Sequence, residues 1–274
     1  MLSLLTVAVA QEPLRVVTFN LLGMKPGSQW KNRLQCAIDQ LVELAPDIIA
    51  LQEVNESVET GGRDNTAEAI ALALSKMTGE KYRVSMARTH KSWGDIAWEG
   101  IAIISRFPVK QRGWKALALG EVPRKVLWNA IETPAGTVNI LNTHLAYKED
   151  HNAIREEQVV QILEFATDKL AGVPAWATLL TGDLNATPES SPLQMLTGGI
   201  DPFFQDVYLV ADNNDEEYTV PAEAPKKRID YILLAVGSKA IIKESYPVMD
   251  RLCSTGGLAS DHLGVLAVIE PISK

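Results

Sequence analysis

Eight polar residues stand at the ends of apolar runs, where a charged side chain has few structural uses. Asn20 closes RVVTFN, Glu53 closes IIALQE, His144 closes VNILNTH, and Asp183 and Asn185 lie in TLLTGDLN. Asp230 stands at the start of IDYILL, and Asp261 with His262 precedes LGVLAVI. Burying a lone carboxylate is costly. Taken singly, each of these residues reads as a cap, a turn residue or a satisfied structural histidine. Taken together they read as one site, because the ends of neighbouring strands converge. Glu53 and Asp183, with Asn20 or Asn185, offer hard oxygen ligands that suit Mg²⁺, Mn²⁺ or Ca²⁺ better than zinc. A cation with open positions can grip a phosphoryl oxygen and stabilise the charge that builds there. His262 can take a proton from water if a carboxylate, Asp230 or Asp261, fixes its tautomer. His144 is then placed to meet a leaving group.

The elements that must position these residues alternate between strands and helices. Apolar, β-branched runs predict strands at Arg15–Leu21, Ile48–Gln52, Tyr82–Ala87, Gly100–Ser105, Val126–Glu132, Val138–Thr143, Ala177–Gly182, Ile229–Leu234, Ala240–Tyr246 and Leu263–Ile269. Helical spacing of apolar residues predicts helices at Trp30–Ala45, Asn65–Met77, Asn152–Leu170 and Ser190–Leu196. No Pro/Ser/Gly-rich linker divides the chain, and the best boundary candidate is the acidic loop Asp212–Pro225. Residues 14–274 therefore read as one α/β domain, two mixed sheets packed together with helices outside.

The chain has 274 residues, 26 Lys plus Arg, 34 Asp plus Glu and a net charge of −8. The acidic balance speaks against binding that rests on bulk positive charge. Two cysteines exclude a disulfide scaffold and a multi-cysteine zinc module. The chain lacks GxGxxG, Walker A, HExxH, CxxC and GxSxG motifs, which removes dinucleotide oxidoreductases, P-loop kinases, zincins and α/β-hydrolases. His90, His144, His151 and His262 lack the ligand spacing of a zinc hydrolase. Residues 1–13 read either as the remnant of a signal peptide, which would make the protein exported, or as a disordered N-terminus. Met1–Ala10 is too short to span a membrane, and no later apolar run is long enough.

The segments TFNLLG (18–23), PDIIALQEV (46–54), EGIAIISRFPV (99–109), LNTHL (141–145), LTGDLNATP (180–188), RIDYILL (228–234) and SDHLGVLAVI (260–269) occur in one order over nearly the whole chain. In this the sequence resembles the endonuclease/exonuclease/phosphatase superfamily, which includes pancreatic-type deoxyribonucleases, abasic-site endonucleases, neutral sphingomyelinases and inositol polyphosphate 5-phosphatases. The resemblance implies a four-layer α-β-β-α sandwich with a metal at one end of the two sheets. It implies that Glu53 binds the metal with Asn20 nearby, and that Asp261 is metal-linked or supports the site. Asp183 would orient or deprotonate the attacking water, and Asn185 would hold a phosphate oxygen. His262, paired with Asp230, would contact the phosphate or act as base. His144 would work beside a glutamate on a neighbouring strand, here Glu99. The LNTHL segment departs from the abasic-site branch, and the extra Lys and Arg motifs of the inositol 5-phosphatases are missing.

The expected activity is metal-dependent hydrolysis of a phosphodiester by in-line attack of an activated water, with Mg²⁺ as cofactor, or Mn²⁺ or Ca²⁺. Few basic clusters are present: Arg124-Lys125 and Lys226–Arg228. That favours a phospholipid head group, a nucleotide derivative or a short nucleic acid over long duplex DNA, whose binding neutralises many phosphates. The competing readings are a DNA or RNA nuclease and a binding module that has lost catalysis; the intact site residues argue against the second. Arg88–Glu99 reads either as a loop whose Trp93 and Trp98 contact substrate or as a hairpin whose tryptophans cover the sheet edge. Cys36 is expected to face away from the apolar stripe of its helix, so no disulfide with Cys253 is expected. The protein is expected to be a monomer.

Overall fold

The computed structural model describes residues 12–59, 61–211 and 218–272. The apolar stretch Met1–Ala10, and the acidic part of the Asp212–Pro225 loop, lie outside the described residues. In chain order the elements begin with β1 (Leu14–Asn20), α1 (Trp30–Leu44), β2 (Ile48–Ser57), α2 (Thr66–Thr78), β3 (Arg83–Ser92) and β4 (Ala97–Ser105). There follow β5 (Val109–Ala116), β6 (Lys125–Thr133), β7 (Gly136–His144), α3 (Asn152–Leu170), β8 (Ala177–Asp183) and α4 (Ser191–Thr197). The last are β9 (Phe204–Asp206), α5 (Val207–Val210), β10 (Asp230–Ala235), β11 (Ala240–Val248) and β12 (Gly264–Pro271). Among the described residues no helix is long and apolar enough to cross a membrane.

The strands form two six-stranded sheets, ordered β11-β12-β1-β2-β4-β3 and β5-β6-β7-β8-β10-β9. Each is mixed: β1 with β2, and β7 with β8, pair in parallel, while the other pairs are antiparallel. Strand alternation sorts the apolar residues into three layers of core. Val16, Ile48, Ile101 and Ile103 of the first sheet meet Leu127, Ile140, Leu179 and Ile232 of the second. Val17, Phe19, Ile49 and Leu51 turn the other way, onto Ala37 and Leu41 of α1 and Ile70 and Leu74 of α2. Trp128, Leu141, Leu180 and Leu233 turn onto Val159 and Ile162 of α3 and Leu193 of α4. The result is the expected four-layer α-β-β-α sandwich.

Three elements escaped the sequence pattern. β5 reads VKQRGWKA because it is an edge strand, with polar side chains toward solvent. β9 and α5 are too short to show a period. The polar run THKS continues β3 to Ser92, so Arg88–Glu99 is a hairpin, the second of its two expected readings. Its Trp98 lies in β4 opposite Lys91, whose Nζ is 5.6 Å from the ring centroid.

The expectation of two free thiols is corrected: Cys36 and Cys253 form a disulfide, with Cα atoms 5.4 Å apart. The stripe that α1 buries is Cys36, Ala37, Gln40 and Leu41, whereas Leu34 and Ile38 are only half-buried. The connection from β11 to β12 crosses this face and covers what the sequence pattern left to solvent. Gln40 fastens it through both amide groups, donating from Nε2 to Arg251 O (3.3 Å) and accepting from Arg251 N at Oε1 (3.2 Å).

Gly182, one residue before Asp183, has φ +144°, and a Cβ there would lie 2.1 Å from Thr143 O on β7. Only glycine lets the two strands close at this end. Gly182→Ala is expected to lower the unfolding free energy by about 2 kcal/mol or more. Urea titration tests this, and a variant within about 0.5 kcal/mol of the parent contradicts it.

Candidate active site

The period of two that fills the inter-sheet core also aims the polar strand ends. Asn20 shares a face with Val16, Glu99 with Ile101 and Ile103, and His144 with Val138 and Ile140. Asp183 shares a face with Ala177 and Leu179, and Asp230 with Ile232 and Leu234. All five therefore point between the sheets at one end of the sandwich. Simple alternation would send Glu53 toward the helices with Ile49 and Leu51. A β-bulge prevents this: the register of β2 on β4 shifts between Leu51 and Val54. Gln52 and Glu53 together face one residue, Val54 stays on the helix side, and Glu53 turns inward with φ +51°. Asn185 is also left-handed, with φ +48°. Such backbone is uncommon for side chains other than glycine, and strained conformations of this kind collect at functional sites.

Asp183 is the hub. Asn20 Nδ2 lies 3.1 Å from Asp183 Oδ2 and 3.1 Å from Glu53 Oε1, so one amide bridges two carboxylates. His144 Nε2 lies 3.3 Å from the same Asp183 oxygen and His262 Nε2 lies 3.9 Å from it. Oδ1 accepts the Asn185 backbone N–H at 2.9 Å. His262 Nδ1 is 2.9 Å from Asp230 Oδ2. The Asn20 oxygen accepts from Leu22 N–H (3.0 Å), so the amide nitrogen is what this residue presents to the carboxylates. Below the hub a polar floor joins the sheets: Gln52 Nε2 donates to Asn142 Oδ1 (2.8 Å) and Asn142 Nδ2 to Leu51 O (2.9 Å).

Burial raises Asp183 to a pKa of about 6, helped by repulsion from Asp230 and opposed by His262 and the Asn20 amide. Burial also raises Glu53, against the Asn20 hydrogen bond. Burial and the Glu53 charge lift Glu99 to about 7, against Arg124. Burial acts against charge on His262, but the Asp230 carboxylate outweighs it and holds the ring cationic, with a pKa of about 10. His144 behaves oppositely: burial and then Arg124 push it well below its ordinary value and keep it neutral. A neutral ring with Nε2–H toward Asp183 leaves Nδ1 to accept from Arg124 Nη1, 3.0 Å away.

Asp261 stands apart from this buried set; it is exposed and acts on Glu53 and His262 through its charge. Arg124 is the residue that sequence reasoning missed. It entered only as part of the basic cluster Arg124-Lys125, yet it is buried between His144 and Glu99, 3.9 Å from Glu99 Oε1. It stands at the start of the apolar run VLWNAI, so the rule that found the acidic strand ends, applied to cations, would have found it. His90 joins the same corner, with Nε2 3.7 Å from Glu99 Oε1. Two of the three basic residues of the Lys226–Arg228 run are paired within the protein. Arg228 is buried against Asp206 at 2.6 Å, and Lys227 pairs with Glu149 at 3.0 Å.

Residues 17–266 match the model of the endonuclease/exonuclease/phosphatase family. The chain belongs to the endonuclease/exonuclease/phosphatase family. Protein angel of Drosophila melanogaster is 25% identical to it over 272 residues, spanning 87% of this chain and 72% of that protein. The catalytic domain of human Nocturnin, solved with a bound sulfate anion, superposes with a TM-score of 0.74 at 20% identity, covering 96% of this chain and 95% of that one. A mannosyl-6-phosphatase of Bacteroides thetaiotaomicron gives 0.73 at 18% identity, covering 94% and 99%. These two likenesses show the shared fold. The chemistry common to the endonuclease/exonuclease/phosphatase family is of the phosphoesterase type, generally with divalent metals. In this member Asp183, Asp230 and His262 form a buried cluster whose ligand atoms lie within 4.8 Å of one another.

Proposed function

We propose that this protein is a phosphodiesterase that uses a divalent cation, Mg²⁺ or Mn²⁺, to hydrolyse its substrate by in-line attack of water. The observation that carries this reading is the convergence of Asn20, His144 and His262 on one oxygen of Asp183. The donor set fits a hard cation: Glu53, Asp183, Asp230 and Asp261 offer carboxylate oxygens, and the buried Oδ1 of Asp230 has no hydrogen-bond partner among the described residues. Glu53 and Asp261 would hold the cation. When bound, such a cation supplies positive charge to a phosphoryl oxygen.

The protein's own groups divide the remaining work. Asp183 orients the water and takes its proton, being the one carboxylate that faces both histidines. His262, kept cationic by Asp230, contacts a phosphate oxygen rather than acting as base. Asn185 Nδ2, which donates to Leu145 O at 3.3 Å, lies beside Asp183 to hold another oxygen. His144 and Arg124, with Glu99 behind them, meet the leaving group. Asn20 keeps the two carboxylates in place. The domain 14–274 acts as a monomer on a substrate held through one or two phosphates, since Arg124 and Arg228 are buried rather than displayed along a surface.

With Mn²⁺ the protein is expected to hydrolyse bis(p-nitrophenyl) phosphate. Glu53→Gln is expected to raise the Mn²⁺ concentration for half-maximal rate by about tenfold or more. Full activity in excess EDTA, or an unshifted Mn²⁺ response in the variant, contradicts the reading.

A further inference from the structure

Beside the candidate active site an open cavity of about 540 Å³ is enclosed by three connections. They are the β1–α1 segment, the turn Pro221–Ala224 and the segment Thr255–Asp261, with Arg33 of α1 completing the lining. Its size lies in the range of small-ligand sites. Asp261 belongs to the cavity and also acts on Glu53 and His262, so the cavity and the candidate active site share a wall.

Arg33 does not make this an anion site. Nη1 donates to Leu21 O (2.9 Å) and Ala259 O (3.0 Å), Nη2 to Gly23 O (2.7 Å) and Ser28 Oγ (2.9 Å), and Nε to Ser28 O (3.1 Å). All five N–H groups of a guanidinium are thereby occupied. The other charged side chains of the lining, Glu223 and Asp261, are both carboxylates. The rest is uncharged: Leu22, Pro221 and Leu258 are apolar, Gln29, Thr255 and Ser260 are polar, and the glycines offer backbone. Gly256 and Gly257 have φ +81° and +71°, with no described residue within 4 Å of where a Cβ would stand. A flat group can therefore approach that backbone closely.

We infer that this cavity is a specificity subsite for an uncharged ring substituent of the scissile phosphate, a nucleoside, and that its carboxylates reject a second phosphate on that substituent. The subsite deepens the phosphodiesterase reading and rests on it. Selection of this kind combines a fitted surface for one substituent with like-charge repulsion of its competitor.

Three synthetic diesters test it: methyl p-nitrophenyl phosphate, thymidine 5′-(p-nitrophenyl phosphate), and the latter carrying a 3′-phosphate. The thymidine diester is expected to exceed the methyl diester in kcat/KM by about tenfold or more, and the 3′-phosphorylated form to lose most of that gain. Ala224→Trp, which fills the cavity from an exposed turn, brings the thymidine and methyl rates together. Glu223→Lys raises the 3′-phosphorylated probe relative to the thymidine diester. Equal use of all three diesters by the parent, or a thymidine-to-methyl ratio that Ala224→Trp does not move, overturns the subsite. A binding arm needs no turnover: free thymidine binds the parent in equilibrium dialysis and binds Ala224→Trp at least about tenfold more weakly. Equal thymidine binding by both, or none by the parent, also overturns the subsite. Thymidine binding without metal-dependent hydrolysis of any diester keeps the subsite and overturns the phosphodiesterase reading instead.

Discussion

Asp183→Asn is expected to lower kcat by about a hundredfold or more, the scale of a lost acid–base group. Asparagine keeps the size of the side chain but cannot take a proton from water. It also sets a second amide against the Asn20 Nδ2 that Asp183 Oδ2 now faces at 3.1 Å, and leaves the His262 cation with one carboxylate fewer nearby. Stability should move the other way or not at all. Burial lifts Asp183 to a pKa of about 6, above its ordinary value, so the folded protein bears an unfavourable charge at neutral pH that the amide removes. The pair of readouts separates a catalytic role from a structural one: kcat falls while the urea midpoint holds or rises. A variant with the parent's kcat would sink the assignment of Asp183, and a large joint loss of midpoint and rate would make the residue structural.

Removing the Cys36–Cys253 bond should have the largest effect on stability. It closes a sequence separation of 217 residues, for which the chain-entropy account gives about 5 kcal/mol and measured bonds commonly give about 2–4 kcal/mol. Cys36→Ala/Cys253→Ala, or reduction with dithiothreitol, should shift the denaturation midpoint accordingly. The loss should also be local. Cys253 sits in the segment that leads into Asp261 and His262, and Gln40, the Glu43–Arg251 ion pair (2.7 Å) and the Arg33 hydrogen bond to Ala259 O (3.0 Å) are then what ties it to α1. Hydrogen exchange should quicken first between 249 and 259. Unreduced protein with two titratable thiols, or a midpoint indifferent to reductant, contradicts the bond.

The parts of the site that lie in regular strands were legible because alternation is a one-dimensional signal. Once Leu179 is core, Asp183 four residues on must share its face, and the same holds for His144 after Ile140. The parts that depend on a break in regularity were not. Nothing in IIALQEV marks the bulge that turns Glu53 inward; only its register against β4 shows it. Arg124 read only as part of a basic cluster because its partners, His144 and Glu99, are distant in sequence and meet it only when two sheets pack. Cys36 was misjudged because the 3.6-residue period locates the face toward a sheet but cannot tell that a loop will cover an adjacent face.

The two sheets draw on the chain in different ways. The one ordered β5-β6-β7-β8-β10-β9 is made wholly from the continuous stretch between Val109 and Ala235. The other holds β1 between β2 and β12, so one of the earliest strands waits for the last. A chain emerging from the ribosome can thus complete its second sheet while the VVTF edge of β1 is still unpaired. Such an open apolar edge invites pairing with other chains until synthesis ends and β12 docks. The late closure also joins residues far apart in sequence, a feature that slows folding. Chaperone dependence and aggregation during expression should therefore centre on β1, and a chain stopped before Gly264 should fail by association at that edge rather than by loss of the second sheet.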